Sequence, residues 1–123
     1  MVRASRRDID AARRLVRERD GWRCQMCGVW QTTQLFSVHH RTPKGMGGSA
    51  LLESPANLVT LCGSGTTGCH SKAHANPEWA RNHGWLVSRS FDPAAIPVDM
   101  WDGWHYLSDD GSRTPCTPSE VQA

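Results

Sequence analysis

Two histidines, His70 and His74, stand four residues apart directly after Cys69. On a helix they share one face a turn apart, which is how a helix offers two imidazoles to a single metal ion. Upstream, Cys24-Gln25-Met26-Cys27-Gly28 reads as a zinc knuckle. Two thiolates two residues apart can grip one tetrahedral ion, and the following glycine lets the turn close without strain. A C-x-x-C pair also serves redox chemistry, but inside a βαβ pattern that this chain lacks. Cys62 and Cys69 are the candidates to complete a four-cysteine set. Six residues separate them, more than the usual two to four; the insert from Gly63 to Gly68 is expected to loop out flexibly. Cys116 lies among Thr-Pro pairs in a polar stretch and reads as a free thiol.

The elements that must position these residues are short. At 123 residues with eleven glycines and seven prolines, the chain is one turn-rich domain, of the size that often needs a disulfide or metal staple. Helical periodicity with Ser5 as cap and Gly21 as stop predicts a helix over 6–20, its stripe formed by Ala12, Leu15, Val16 and the stem of Arg19. A strand is expected over Gln34–Val38 and another over Pro55–Leu61. Between them runs a cationic glycine-rich loop, Arg41-Thr42-Pro43-Lys44-Gly45-Met46-Gly47-Gly48, able to approach a phosphate closely or to be an ordinary turn. With a helix at His70 this makes a β-β-helix unit. Asn76-Pro77 starts a second short helix with Asn76 as N-cap and Gly84 as its stop. Trp85-Leu86-Val87-Ser88 reads as a strand. His83 and His105 belong to no ligand pattern and read as surface residues.

Residues 1–23 hold eight arginines against four acids, and residues 92–123 hold six acids against Arg113. A basic front suggests an anionic partner, or merely a solvated helix. Turn signals at Trp101-Asp102-Gly103 and Asp109-Asp110-Gly111 flank an extended Trp104–Leu107. Residues from about Ser112 are expected to be disordered. No apolar segment of signal-peptide or membrane-spanning length is present, so the expected location is cytoplasmic, where thiols bind metal more often than they form disulfides.

His39-His40, then Asn57 ahead of Leu-Val-Thr-Leu-Cys, then Cys69-His70, resemble the HNH endonucleases of the ββα-metal fold. The resemblance spans about Arg19 to Ser88. It is nearest to small HNH proteins of actinobacterial phages, and the His39-His40…Asn57…His70-x-x-x-His74 order is also similar to colicin nuclease domains. It implies an α+β, zinc-stapled ββα-metal fold: an HNH domain over 1–90 with its ββα core at 24–83, followed by a C-terminal extension over 91–123. It further implies hydrolysis of DNA phosphodiesters. His40 would be the general base, its ring polarised by a backbone carbonyl, and Asn57 would brace the loop that bears it. His39, with His70 and His74, would hold a catalytic divalent ion: Mg²⁺, Mn²⁺, Ni²⁺ or Zn²⁺. Many family members carry Asp where this chain has His39, which moves metal preference toward softer ions. Cys24, Cys27, Cys62 and Cys69 would hold a structural Zn²⁺. Arg23, Arg41, Lys44 and Lys72 would contact DNA. A phage setting would add terminase and portal proteins as partners, to a chain that is monomeric or weakly dimeric, or a cytoplasmic location in the host.

A non-catalytic zinc-ribbon module is the competing class, and a colicin-like toxin a third. The tandem histidine separates the first two, since a structural ribbon has no use for His39-His40 beside a Cys-His pair. The toxin reading lacks a receptor-binding or translocation region in this length.

Overall fold

Ser5 sets the start of the first helix: its hydroxyl accepts the Asp8 N–H at 3.1 Å, satisfying a donor that the helix itself cannot. The structure, a computed structural model, describes residues 5–43 and 50–117, without the side chains of residues 50 and 51. Helix α1 is Arg6–Arg19 and buries Val16. Its last residue fixes it to the domain. Arg19 donates to the carbonyls of Pro55 at 2.9 Å and Leu58 at 2.7 Å, and pairs with Asp20. Asp20 also accepts the Thr60 N–H at 2.9 Å.

Strands β1 (Phe36–His40) and β2 (Leu58–Cys62) pair antiparallel, with His39 opposite Val59 and His40 opposite Leu58. β1 lies two residues later than the sequence pattern suggests. Its partner is preceded by a 3₁₀ turn, Pro55–Asn57, because Pro55 pre-sets a turn and cannot donate to a ladder. A second 3₁₀ turn is Ala50–Glu53. Helix α2 (Gly68–Ala75) packs on β2, and α3 (Pro77–Asn82) follows at once. Asn76 is the N-cap residue of α3, as expected, and its carbonyl accepts the Ala80 N–H at 2.8 Å; its side chain makes no cap bond but donates to the Lys72 carbonyl at 2.9 Å, closing α2.

The chain after residue 90 departs furthest from expectation. Strands β3 (Val98–Met100), β4 (Gly103–Leu107) and β5 (Arg113–Pro115) form an antiparallel sheet in that order. Val98, Met100 and Leu107 share one core with Cys24, Phe36, Val59, Leu61, Ala73, Ala80 and Trp85. The described part of this stretch is thus built into the domain, neither an appendage nor disordered through 117; residues 118–123 lie outside the described residues. The join is polar as well. Gln25, fully buried, bonds to the carbonyls of Asp20 and Arg23 and accepts from Arg113, which also grips Asp102 and His105. His105 is accordingly buried. His83 stacks on Trp79 with ring centroids 4.8 Å apart and faces Trp104. Neither is the surface histidine its isolation in the sequence suggests.

Residues 85–88 form no strand. Trp85 is buried, and the segment is held by the Val87 N–H to the Arg41 carbonyl, at 2.9 Å, and by the Thr42 hydroxyl to the Val87 carbonyl. Arg41 also departs from expectation. It is fully buried, and its guanidinium donates to the carbonyls of Gly84, Ala56, Pro93 and Ile96. Burial, with Arg19 nearby, lowers its pKa to about 9. A guanidinium buried and with four of its five N–H donors spent on carbonyls is out of reach of a phosphate. Its role is to tie the loop after β1 to three later segments. Arg41→Met is expected to strand those carbonyls, at about 1–3 kcal/mol for each that stays dry. Thermal denaturation should show a midpoint lowered by at least about 10 °C.

Candidate metal centres

Two groups of metal-ligating side chains form among the described residues, and they meet at Cys69-His70. The first is Cys24, Cys27, Cys62 and Cys69, whose sulfurs all lie within 4.8 Å of one another. The Cys27 and Cys62 sulfurs are 3.9 Å apart. A tetrahedron of ~2.3 Å metal–sulfur bonds has edges of about 3.8 Å, so the spacing fits a zinc-sized ion. Backbone N–H groups are already aimed at the sulfurs, Cys27 at Cys24 and Cys69 at Cys62.

The wide Cys62–Cys69 spacing is closed by a tight turn, not by a flexible insert. Ser64 and Thr67 bridge across it, and Gly63 and Gly68 both take left-handed backbone. A Cβ on Gly63 would lie 2.1 Å from the Thr67 carbonyl oxygen, which glycine alone avoids. Burial, then the neighbouring thiols, raise Cys69, and burial raises Cys24. Cys27 is pushed up by burial but more strongly down by the Val29 N–H and the other sulfurs. Four thiolates cannot gather here without a cation between them, which is the condition a structural metal meets.

The second group is His39, His70 and His74, again with ligand atoms within 4.8 Å. Ring centroids are 5.1 Å (His39–His70), 5.3 Å (His39–His74) and 4.8 Å (His70–His74) apart. Strand alternation puts Ser37 and His39 on the face that α2 covers, and helical spacing brings His70 and His74 onto the opposing face of α2. Outer partners set the tautomers. His39 Nε2 lies 2.6 Å from the Trp85 carbonyl, so Nε2 carries the proton and donates. That leaves Nδ1 buried with no hydrogen-bond partner among the described residues. The Ser37 hydroxyl donates to the Gly63 carbonyl at 3.0 Å and accepts from His70 Nδ1 at 2.6 Å, which leaves the His70 Nε2 lone pair available. An orphaned, dry imidazole nitrogen beside two others fits a divalent ion, and hydrogen bonds of this kind commonly orient ligating histidines.

Burial, followed by the charges of His70, His74 and His40, lowers the His39 pKa to about 3. His70 is lowered too, mainly by burial. Both are neutral, as ligands must be, at pH 7. The unfolded chain binds a proton on each near pH 6.5 that the folded chain refuses until lower pH. Unfolding therefore takes up protons, and stability drops as pH falls from about 6.5 toward 3. Denaturant melts at pH 7, 5.5 and 4 are expected to show that decline, with bound metal lost over the same range.

His40 ends β1 with its Nε2 2.9 Å from Oε1 of Glu53. Its partner is thus a buried carboxylate and not a backbone carbonyl. Arg13 Nη2 lies 3.9 Å from the other oxygen of Glu53. Asn57 is fully buried. Its Oδ1 accepts the Thr42 N–H at 2.8 Å, and its Nδ2 donates to the carbonyls of Thr42 and Leu52. It touches the loop after His40 and the turn bearing Glu53, and it contacts neither metal group.

The four basic residues expected at DNA fare differently. Lys72 is exposed, its Nζ 4.5 Å from the Trp79 ring centroid. Arg23 is sandwiched between Trp30 and Trp101, 4.0 and 3.8 Å from their centroids. Arg41 is buried, and Lys44 lies outside the described residues. Sequence reasoning missed Glu53, Ser37 and the Trp85 carbonyl. Ser37 could have been found, standing two residues before His39 on the same strand face. The other two come from segments whose approach has no local signal.

No family model, curated protein or solved structure matches the chain. The described residues contain no helix long and apolar enough to cross a membrane.

Proposed function

We propose that the chain is a metal-dependent DNA endonuclease of the HNH, ββα-metal kind. The observation that carries this is the three-histidine set on a strand–strand–helix unit, with a fourth histidine, His40, next to it on the chain and paired to a carboxylate. Three protein ligands leave coordination positions open, as catalytic sites do, whereas the four-cysteine set is closed, as structural sites are. His39, His70 and His74 would hold a divalent ion, which would supply Lewis-acid stabilisation of the charge that develops as the phosphodiester is cleaved.

The chain's own residues do the rest. His40 takes a proton from water; the water oxygen forms a new bond to phosphorus as the bond to the leaving sugar oxygen breaks. Imidazole basicity near neutral pH suits that step. Asn57 holds the two segments that flank the base. Lys72, midway between His70 and His74 on α2 and so turned away from the ligand face, offers an exposed cation to more distant phosphates of the backbone.

The test is conversion of supercoiled plasmid to open circles by zinc-loaded protein with Mg²⁺, Mn²⁺, Ni²⁺ or Zn²⁺ added. Nicking with at least one ion is expected. DNA binding without nicking under all of them would favour the non-catalytic zinc module.

A further inference from the structure

We propose that Glu53 is a positioning residue for His40, fixing which ring nitrogen can act as base; the inference rests on the nuclease reading above. The carboxylate oxygen and His40 Nε2 are 2.9 Å apart. The Glu53 side chain is 4% exposed and that of His40 17%. In this assignment the carboxylate oxygen accepts, Nε2 carries the hydrogen, and Nδ1 keeps the lone pair with which to act as base. A base oriented by a third group is the general logic of an activated catalytic pair.

The surroundings are built to hold this contact. Asn57 joins Thr42, two residues after His40, to Leu52, one residue before Glu53, through 2.8–3.2 Å bonds. The two halves of the pair are thereby locked to one buried side chain. Arg13 of α1 approaches Glu53 from the other side, so the arginine-rich helix contributes to the position of the carboxylate. A surface ion pair would need none of this bracing and would add little.

Glu53→Gln tests the assignment, since it keeps size and hydrogen bonding but lets the amide either accept or donate. Cleavage kinetics of zinc-loaded protein with saturating Mn²⁺ should show kcat lowered by about tenfold to a hundredfold, the range typical for removing an orienting partner, with KM and thermal midpoint unchanged. Nitrogen-15 NMR of the His40 ring should show the Nε2–H tautomer in the wild type and a mixture in Glu53→Gln. Wild-type kcat in Glu53→Gln, or a loss confined to KM or to the midpoint, overturns the proposal. If the wild type itself cleaves nothing, the nuclease reading fails. An Nε2–H tautomer that persists in Glu53→Gln then overturns the positioning role as well.

Discussion

A Cys69→Ser chain is expected to lose its folded state and its DNA cleavage together. The four sulfurs come from the turn after α1, the end of β2 and the start of α2, and Cys24 lies in the central core with Cys62 and Cys69 packed against it. A structural zinc site contributes about 10–16 kcal/mol of apparent binding energy, while a domain's whole stability is about 5–15 kcal/mol. Removing one thiolate therefore threatens the entire margin. It also releases the N-terminus of α2, on which His70 follows Cys69 directly. The expected result is loss of one zinc equivalent, loss of a cooperative thermal transition and loss of nicking. Cys116→Ser should do none of this, since Cys116 stands apart from both metal groups. A Cys69→Ser protein with normal zinc content and midpoint would refute the four-cysteine assignment.

His40→Ala should do the reverse, leaving the fold and removing the chemistry. Its ring packs on Glu53 at the end of a strand and belongs to neither ligand set. A general base contributes about 10²–10⁴-fold, or about 3–5 kcal/mol in the barrier. The plasmid assay should show nicking reduced by that factor, while zinc content, thermal midpoint and affinity for DNA remain near those of the wild type. Equal cleavage by His40→Ala would assign the base elsewhere. His70→Ala should abolish cleavage by a different route, through lost metal, and the two are told apart because excess Mn²⁺ partly restores His70→Ala but not His40→Ala.

The parts of this architecture written locally could be read in advance. Ser5, the apolar stripe and Gly21 mark α1 without help from the rest of the chain. The cysteines and the His70–His74 spacing announce metal chemistry through residue types that have few other uses in such patterns. Arg41 could not be read this way. It stands in a stretch that looks like a cationic loop, and only the arrival of Gly84, Ala56, Pro93 and Ile96 turns its charge inward. Glu53 gives no local sign of meeting His40, because it stands thirteen positions further along the chain, at the end of the Ala50–Glu53 turn. The C-terminal sheet was obscured by its short strands and acidic turns. What places it in the core is contact with Gln25 and Cys24, far away along the chain. Residue types gave the ligands; the orienting groups came from tertiary approach.

The most direct test of the account is a titration of Mn²⁺ into protein that already holds one equivalent of zinc, with plasmid nicking as the readout. Nicking is expected to be absent at the start, to rise with added ion and to saturate at one further equivalent per chain, while His39→Ala needs far more ion or never responds. Nicking that is independent of added ion, or an identical titration curve for His39→Ala, would contradict it.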